Sequence, residues 1–182
     1  MKGENKVRGG TRACSAPPGF AAKFTLVNTS EKLVTDDVFL GNYTLVYFGF
    51  THCKVVCPRS LNKLSSVIDR LRTEKFEVKA IYITVDPERD TPEVMRRYLM
   101  ASYPAFEGLT GTIEQIEEAK DAFRIFAERK TDPDDPDGYE VPHTAIAYLI
   151  DPEGEYCGHY PDHLDEDRVF DRIKAILAAR ET

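Results

Sequence analysis

Two stretches of the chain are apolar almost without interruption, TLVYFGF at 44–50 and VKAIYITV at 78–85. Runs so rich in β-branched and aromatic residues predict strands covered on both faces, as at the centre of a parallel or mixed sheet. Shorter runs predict strands at 24–27 and 106–110, and the turn residues Gly41-Asn42 precede the first long run. Between the strands the period changes. Pro58 opens a helix reaching about Arg72, with Leu61, Leu64, Ile68 and Leu71 on one face and Pro in the first turn, where its missing N–H costs nothing. Thr91-Pro92 is an N-cap followed by Pro at the first helical position, and that helix runs to about Ala101. Thr112-x-x-Gln115 matches a capping box, with Ile113, Ile116, Ala119, Phe123 and Phe126 sharing the face of the helix it starts. A strand over 144–150, a turn at 151–154, a partner strand over 155–160 and a last helix over 165–179 close the chain.

Strands alternating with helices, then a hairpin and a final helix, predict an α/β fold, a three-layer α/β/α sandwich with a mixed central sheet. No repeat or linker divides the chain. Its 182 residues suit one domain, assigned to 21–182, behind a polar, disordered lead over 1–20 that carries Lys2, Lys6, Arg8 and Arg12. The lead has no apolar core of a signal peptide, and no window of about 18 apolar residues could span a bilayer. A formal charge of −7 argues against nucleic acid as a partner. The acidity concentrates in TDPDDPDG at 131–138, where Pro136 falls where a calcium loop needs a ligand, so this segment is expected to be a solvated or partner-facing loop.

Four cysteines are too few to staple a domain of this size, and two of them, Cys53 and Cys57, are four positions apart between a buried strand and a helix. Loops after the carboxyl ends of strands are where such sheets bind ligands, and a strand feeding a helix through a cysteine pair resembles the thioredoxin fold. At spacing i, i+4 on a helix the two sulfurs could share one metal ion or close a disulfide, and a helix N-terminus favours their thiolates. Two buried, inert cysteines are the structural alternative. A third ligand would decide the metal: four closed positions of S and N suit Zn(II), while Cu(I) accepts two thiolates and an imidazole. His52 is adjacent to Cys53 and points elsewhere. His143, at the mouth of the last long strand, could reach the cysteine loop, although a lone histidine there is more often a hydrogen-bonded structural residue. Neither cysteine has the Thr or Ser three positions earlier that a peroxiredoxin site uses; Phe50 and Lys54 stand there. Cys157, His159, Asp162 and His163 have metal-like spacing, but Pro161 interrupts any helix aligning them. Cys14, in the polar lead, reads as a free thiol and Cys157 as a bystander.

Four separated blocks, YFGFTHC…CP at 47–58, VDPERDTPE at 85–93, GLTGT at 108–112 and HTAIAYLIDPEGE at 143–155, resemble the Sco/SenC family of copper proteins in order and spacing. The resemblance implies a thioredoxin-like domain, membrane-tethered in the full-length protein, that binds copper and helps assemble the dinuclear copper centre of cytochrome c oxidase. Carried over, the metal ligands fall on Cys53, Cys57 and His143, with Asp86 behind them as an outer partner. It implies a metallochaperone for Cu(I), and also Cu(II), whose partners are the copper-bearing oxidase subunit and an upstream copper donor. The expected location is extracytoplasmic, on the mitochondrial inner membrane facing the intermembrane space or the bacterial inner membrane facing the periplasm. A thiol-disulfide oxidoreductase, with Cys53 and Cys57 catalytic and reducing the oxidase's copper-site cysteines, is the alternative. One departure stands out: the family commonly has Pro-Asp-Val between the cysteines, and here Lys54, Val55 and Val56 stand there.

Overall fold

The computed structural model describes residues 14–181, so most of the polar lead, residues 1–13, lies outside the described residues. A seven-stranded mixed sheet forms the centre. Its strands in chain order are β1 (Thr25–Asn28), β2 (Leu33–Thr35), β3 (Tyr43–Gly49), β4 (Val78–Thr84), β5 (Phe106–Thr110), β8 (Ile146–Ile150) and β9 (Tyr156–Pro161); β6 (Lys130–Thr131) and β7 (Tyr139–Glu140) pair separately. The sheet order is β2-β1-β5-β4-β3-β8-β9, with β3, β4 and β5 mutually parallel and the outer pairs antiparallel. The helices are α1 (Val56–Thr73), α2 (Pro92–Ser102), α3 (Ile113–Phe123) and α4 (Glu166–Glu181).

The long apolar runs became the two central strands because both faces of each are covered. Side chains alternate: Leu45, Tyr47, Ala80, Tyr82, Ala147 and Leu149 pack on α1, α2 and α4, while Val46, Phe48, Ile81, Ile83, Tyr148 and Ile150 pack on the α3 side. The helical stripe Leu61, Leu64, Ile68 and Leu71 is buried against the first of these layers, each such side chain contributing roughly 1.5–3 kcal/mol by leaving water. Both predicted N-termini hold. The Val94 N–H donates to Thr91 Oγ1, and at α3 the Gln115 N–H donates to Thr112 Oγ1 while the Thr112 N–H donates to Gln115 Oε1.

Three expectations are corrected. Phe126 is not on the α3 face: Arg124 adopts the left-handed conformation, φ 60°, and ends the helix, leaving Phe126 exposed. The acidic segment is not a purely solvated loop, since β6 and β7 close it as a hairpin and Asp135 is buried at its centre. Cys14 is not a free thiol. It forms a disulfide with Cys157 on β9, 143 residues away, and is buried there. Six residues on, Phe20 packs its ring against Phe123, Tyr148 and Tyr156 at 5.3, 5.3 and 5.1 Å between centroids.

Candidate functional site

The carboxyl end of β3 delivers the chain into a turn, residues 50–55, that becomes the first turn of α1. Val55 caps that helix with no side-chain acceptor. A helix start leaves N–H groups unpaired, and here one is met by sulfur: the Cys57 N–H donates to Cys53 Sγ at 3.4 Å. The cysteine that begins the pair is thus the cap of the helix that carries its neighbour. That places Cys53 half-exposed and Cys57 fully buried.

The space for the Cys57 sulfur comes from Gly49. Positions 45, 47 and 49 face α1, and a Cβ built at Gly49 would lie 2.7 Å from Cys57 Sγ and 2.5 Å from the Tyr82 hydroxyl. Gly49→Ala is therefore expected to cost about 1–3 kcal/mol as an overpacked core and to displace the sulfur, read as a lower Tm together with altered reactivity of Cys57. An unchanged Tm would show that the sulfur is not held by this contact.

His143 reaches the pair from a different element. It follows β7, bridges to Ala127, and stands edge-on between Tyr47 and Phe50, at 6.5 and 5.7 Å between centroids. Its Nε2 lies 3.8 Å from Cys57 Sγ, and its Nδ1 is 3.2 Å from the Val141 carbonyl. A carbonyl only accepts, so Nδ1 carries the proton and Nε2 presents a lone pair to the sulfur. Burial holds the imidazole below its ordinary pKa and hence neutral near pH 7. The hydrogen bond with Cys57 lowers the Cys53 thiol to about 5 against the opposing effect of burial, helped by backbone N–H donors and by His143. The same shared bond, then burial, then the Cys53 charge push Cys57 far up. One thiolate, one thiol and one bare imidazole nitrogen thus converge, and these donors fit a soft, thiophilic ion.

Other predicted residues take up supporting places or none. His52 turns away: its Nδ1 is 3.2 Å from Thr51 Oγ1 and its Nε2 is 3.9 Å from Asp137. Asp86 is buried but meets neither cysteine; it accepts from Arg89 Nε at 2.6 Å and from the Tyr139 hydroxyl at 3.0 Å. Arg89 continues to Asp135 at 2.9 Å, with its guanidinium 3.8 Å from the Tyr139 ring centre, so Asp86 anchors the acidic hairpin rather than the sulfurs. The hairpin then meets the cysteine loop through Lys54, 3.9 Å from Asp132. Cys157, His159, Asp162 and His163 do not converge: Cys157 is in the disulfide, His159 meets the Tyr156 hydroxyl, and Asp162 accepts from Arg59 and Ser60. Cys14, Asp151 and Cys157 lie close enough to hold an ion, but the two sulfurs are bonded to each other and offer no thiolate.

Sequence reasoning missed Asp90. Fully buried, it accepts from the Thr51 N–H at 3.0 Å, the Thr51 hydroxyl at 2.5 Å and the Thr84 hydroxyl at 2.7 Å, tying the start of the cysteine loop to the end of β4. The signal was a further acid in the same short turn as Asp86, two residues before α2.

A mixed sheet with helices on both faces, bearing a cysteine pair where a strand passes into a helix, is a thioredoxin-like domain with a thiol and imidazole site. The chain belongs to the SCO1/SenC family, whose model matches residues 13–178. Over 137 residues it is 39% identical to the SCO2-like protein of Rickettsia felis, covering 75% of this chain and 67% of that one. The human mitochondrial SCO1 homolog is 37% identical over 145 residues, covering 79% of this chain and 48% of its own. Among solved structures, Arabidopsis thaliana ScoI with copper bound superposes with a TM-score of 0.81 at 32% identity, over 90% of this chain and 99% of that one.

Proposed function

We propose that this chain binds copper through Cys53, Cys57 and His143 and delivers it, as a metallochaperone, to the copper-bearing subunit of cytochrome c oxidase, receiving it from an upstream donor. The observation that carries this reading is the bare Nε2 of His143, 3.8 Å from Cys57 Sγ. Copper is the cargo. Two thiolates and one imidazole satisfy Cu(I) and leave its shell open to an incoming ligand, which permits transfer by exchange. Cys53 already bears charge, His143 is neutral, and Cys57 must give up its proton on loading. The copper-bound Arabidopsis relative and the family resemblance support the reading. The Cys14–Cys157 disulfide supports an oxidising compartment, as expected for a domain facing the intermembrane space or the periplasm. None of the described helices is long and apolar enough to cross a membrane.

Anaerobic copper titration of the reduced protein tests this. Wild type is expected to take one ion per chain, and His143→Ala to lose more than the 10- to 100-fold in affinity that even outer-shell partners contribute. Equal affinity and an unchanged spectrum in the variant would sink the three-ligand assignment.

One observation favours the second reading, a thiol-disulfide reductase: a low-pKa, half-exposed Cys53 beside a buried, protonated Cys57 is the order of attacker and resolver. The Cys53 thiolate would form a mixed disulfide with a partner cystine, releasing one partner thiolate. Cys57 would then displace the second, leaving Cys53–Cys57 oxidised and two partner thiols reduced. Stoichiometric reduction of a peptide disulfide by reduced His143→Ala protein would favour this reading over copper delivery.

A further inference from the structure

Against the buried side of Cys57 lies a row of tyrosines. Tyr47 and Tyr82 stack at 6.2 Å between centroids, Tyr82 and Tyr98 at 6.2 Å, and Tyr98 and Tyr103 at 5.5 Å. The row follows from register: Tyr47 is paired with Tyr82 across β3 and β4, both on the α1 side of the sheet. Tyr82 is completely buried, and its hydroxyl makes no hydrogen bond of good geometry; the polar group it meets is the Cys57 sulfur. A buried hydroxyl without a well-made hydrogen bond is costly and calls for a specific explanation. For Tyr82 the candidate is Cys57. Its hydroxyl and Cys57 Sγ lie against the same bare face of Gly49, within 2.5 and 2.7 Å of where a Cβ would stand. A protonated Cys57 is a weak acceptor. A metal-bound thiolate is a strong, anionic one.

We propose that Tyr82 is a positioning and tuning residue of the metal site: its hydroxyl donates to the Cys57 thiolate once an ion is bound, reducing the charge that sulfur gives to the metal. The inference rests on Cys57 being a ligand, as proposed above. A tyrosine hydroxyl so deeply buried is a neutral donor. Loading thereby turns a weak contact with the Cys57 thiol into a strong one with its thiolate. Tyr98, one ring further out, is only partly buried and lacks the contact with Gly49.

Two measurements on Tyr82→Phe test the proposal, with Tyr98→Phe as the comparison. In thermal unfolding of metal-free protein, Tyr82→Phe is expected to match or exceed the wild-type Tm, since it removes a buried polar group whose contact with the protonated Cys57 is weak. A fall in Tm would show that the hydroxyl is already satisfied and overturn the premise. In copper(II)-loaded protein, Tyr82→Phe is expected to move the sulfur-to-copper charge-transfer band to lower energy and to lower the reduction potential, because the thiolate becomes a stronger donor. Tyr98→Phe should move neither. An unchanged band and potential in Tyr82→Phe, or an equal change in Tyr98→Phe, would overturn the assignment. Failure of wild type to bind copper at all would instead count against the copper-binding reading, which the wild-type titration detects on its own.

Discussion

At about pH 5.5, iodoacetamide is expected to alkylate Cys53 on the order of tenfold faster than a free peptide thiol, and to leave Cys57 unmodified, in metal-free, reduced protein. The size follows from two opposing effects. With its pKa lowered to about 5, Cys53 is mostly thiolate at that pH, whereas a free thiol of pKa about 8.5 is roughly 0.1% ionised. That is an advantage of several hundredfold in reactive form. Against it, a thiolate loses nucleophilicity as its pKa falls, by roughly 25- to 60-fold over this interval at a Brønsted slope of 0.4–0.5. Population wins at pH 5.5. At pH 7 the free thiol is already a few per cent ionised, the two effects nearly cancel, and the advantage disappears. The pH-rate profile of Cys53 should therefore rise through about 5 and then flatten. Cys57 is silent for two reasons, burial and a pKa raised by its bond with Cys53. Peptide mapping by mass spectrometry reads both. A profile that keeps rising to pH 8 or 9, or comparable labelling of the two cysteines, would refute the division of roles within the pair.

What the sequence made legible is local, and what it hid is long-range. The central strands were readable because a strand covered on both faces must be apolar at every position, as TLVYFGF and VKAIYITV are. The capped starts of α2 and α3 were readable because cap and partner lie three residues apart. Helix α1 begins at Val56, two residues before the Pro58 that signalled it, because its cap is a sulfur that no capping rule includes. Strand β2 and the 3-10 turn Asp36–Phe39 that follows it escaped notice because LVTDDVF is half-exposed and shows no clean period. In the site, the cysteine pair stood out by spacing alone. His143, 86 residues beyond Cys57, was marked only by its place at a strand mouth, and the family resemblance was needed to favour it over a structural histidine. The acidic hairpin read as solvated because its Pro and Gly content describes the turn, while the guanidinium that buries Asp135 comes from Arg89, 46 residues earlier. The Cys14–Cys157 bond is the extreme case, since connectivity among cysteines cannot be read from spacing.

That bond also carries the largest expected effect on stability. In a Cys53→Ser, Cys57→Ser background, where Cys14 and Cys157 are the remaining cysteines, Cys157→Ser is expected to cost about 2–4 kcal/mol. The span is long: with the partners 143 positions apart, the chain-entropy model gives about 5 kcal/mol, roughly the top of the observed range, because an unfolded chain gains most freedom when a long loop opens. The native side offsets part of this. Phe20 stays wedged among Phe123, Tyr148 and Tyr156 whether or not the sulfurs are joined, so the lead does not simply fall away. For a chain of this length each kcal/mol moves Tm by roughly 2–4 °C, which puts the expected drop at about 5–15 °C. Dithiothreitol should lower the parent's Tm to the variant's value and leave the variant unaffected, which separates loss of the bond from a packing defect caused by serine. A thiol assay of the denatured parent gives the second arm, with no reactive thiol before reduction and two after it. Two thiols before reduction, or a variant as stable as its parent, would show that the lead is held by Phe20 and its neighbours alone.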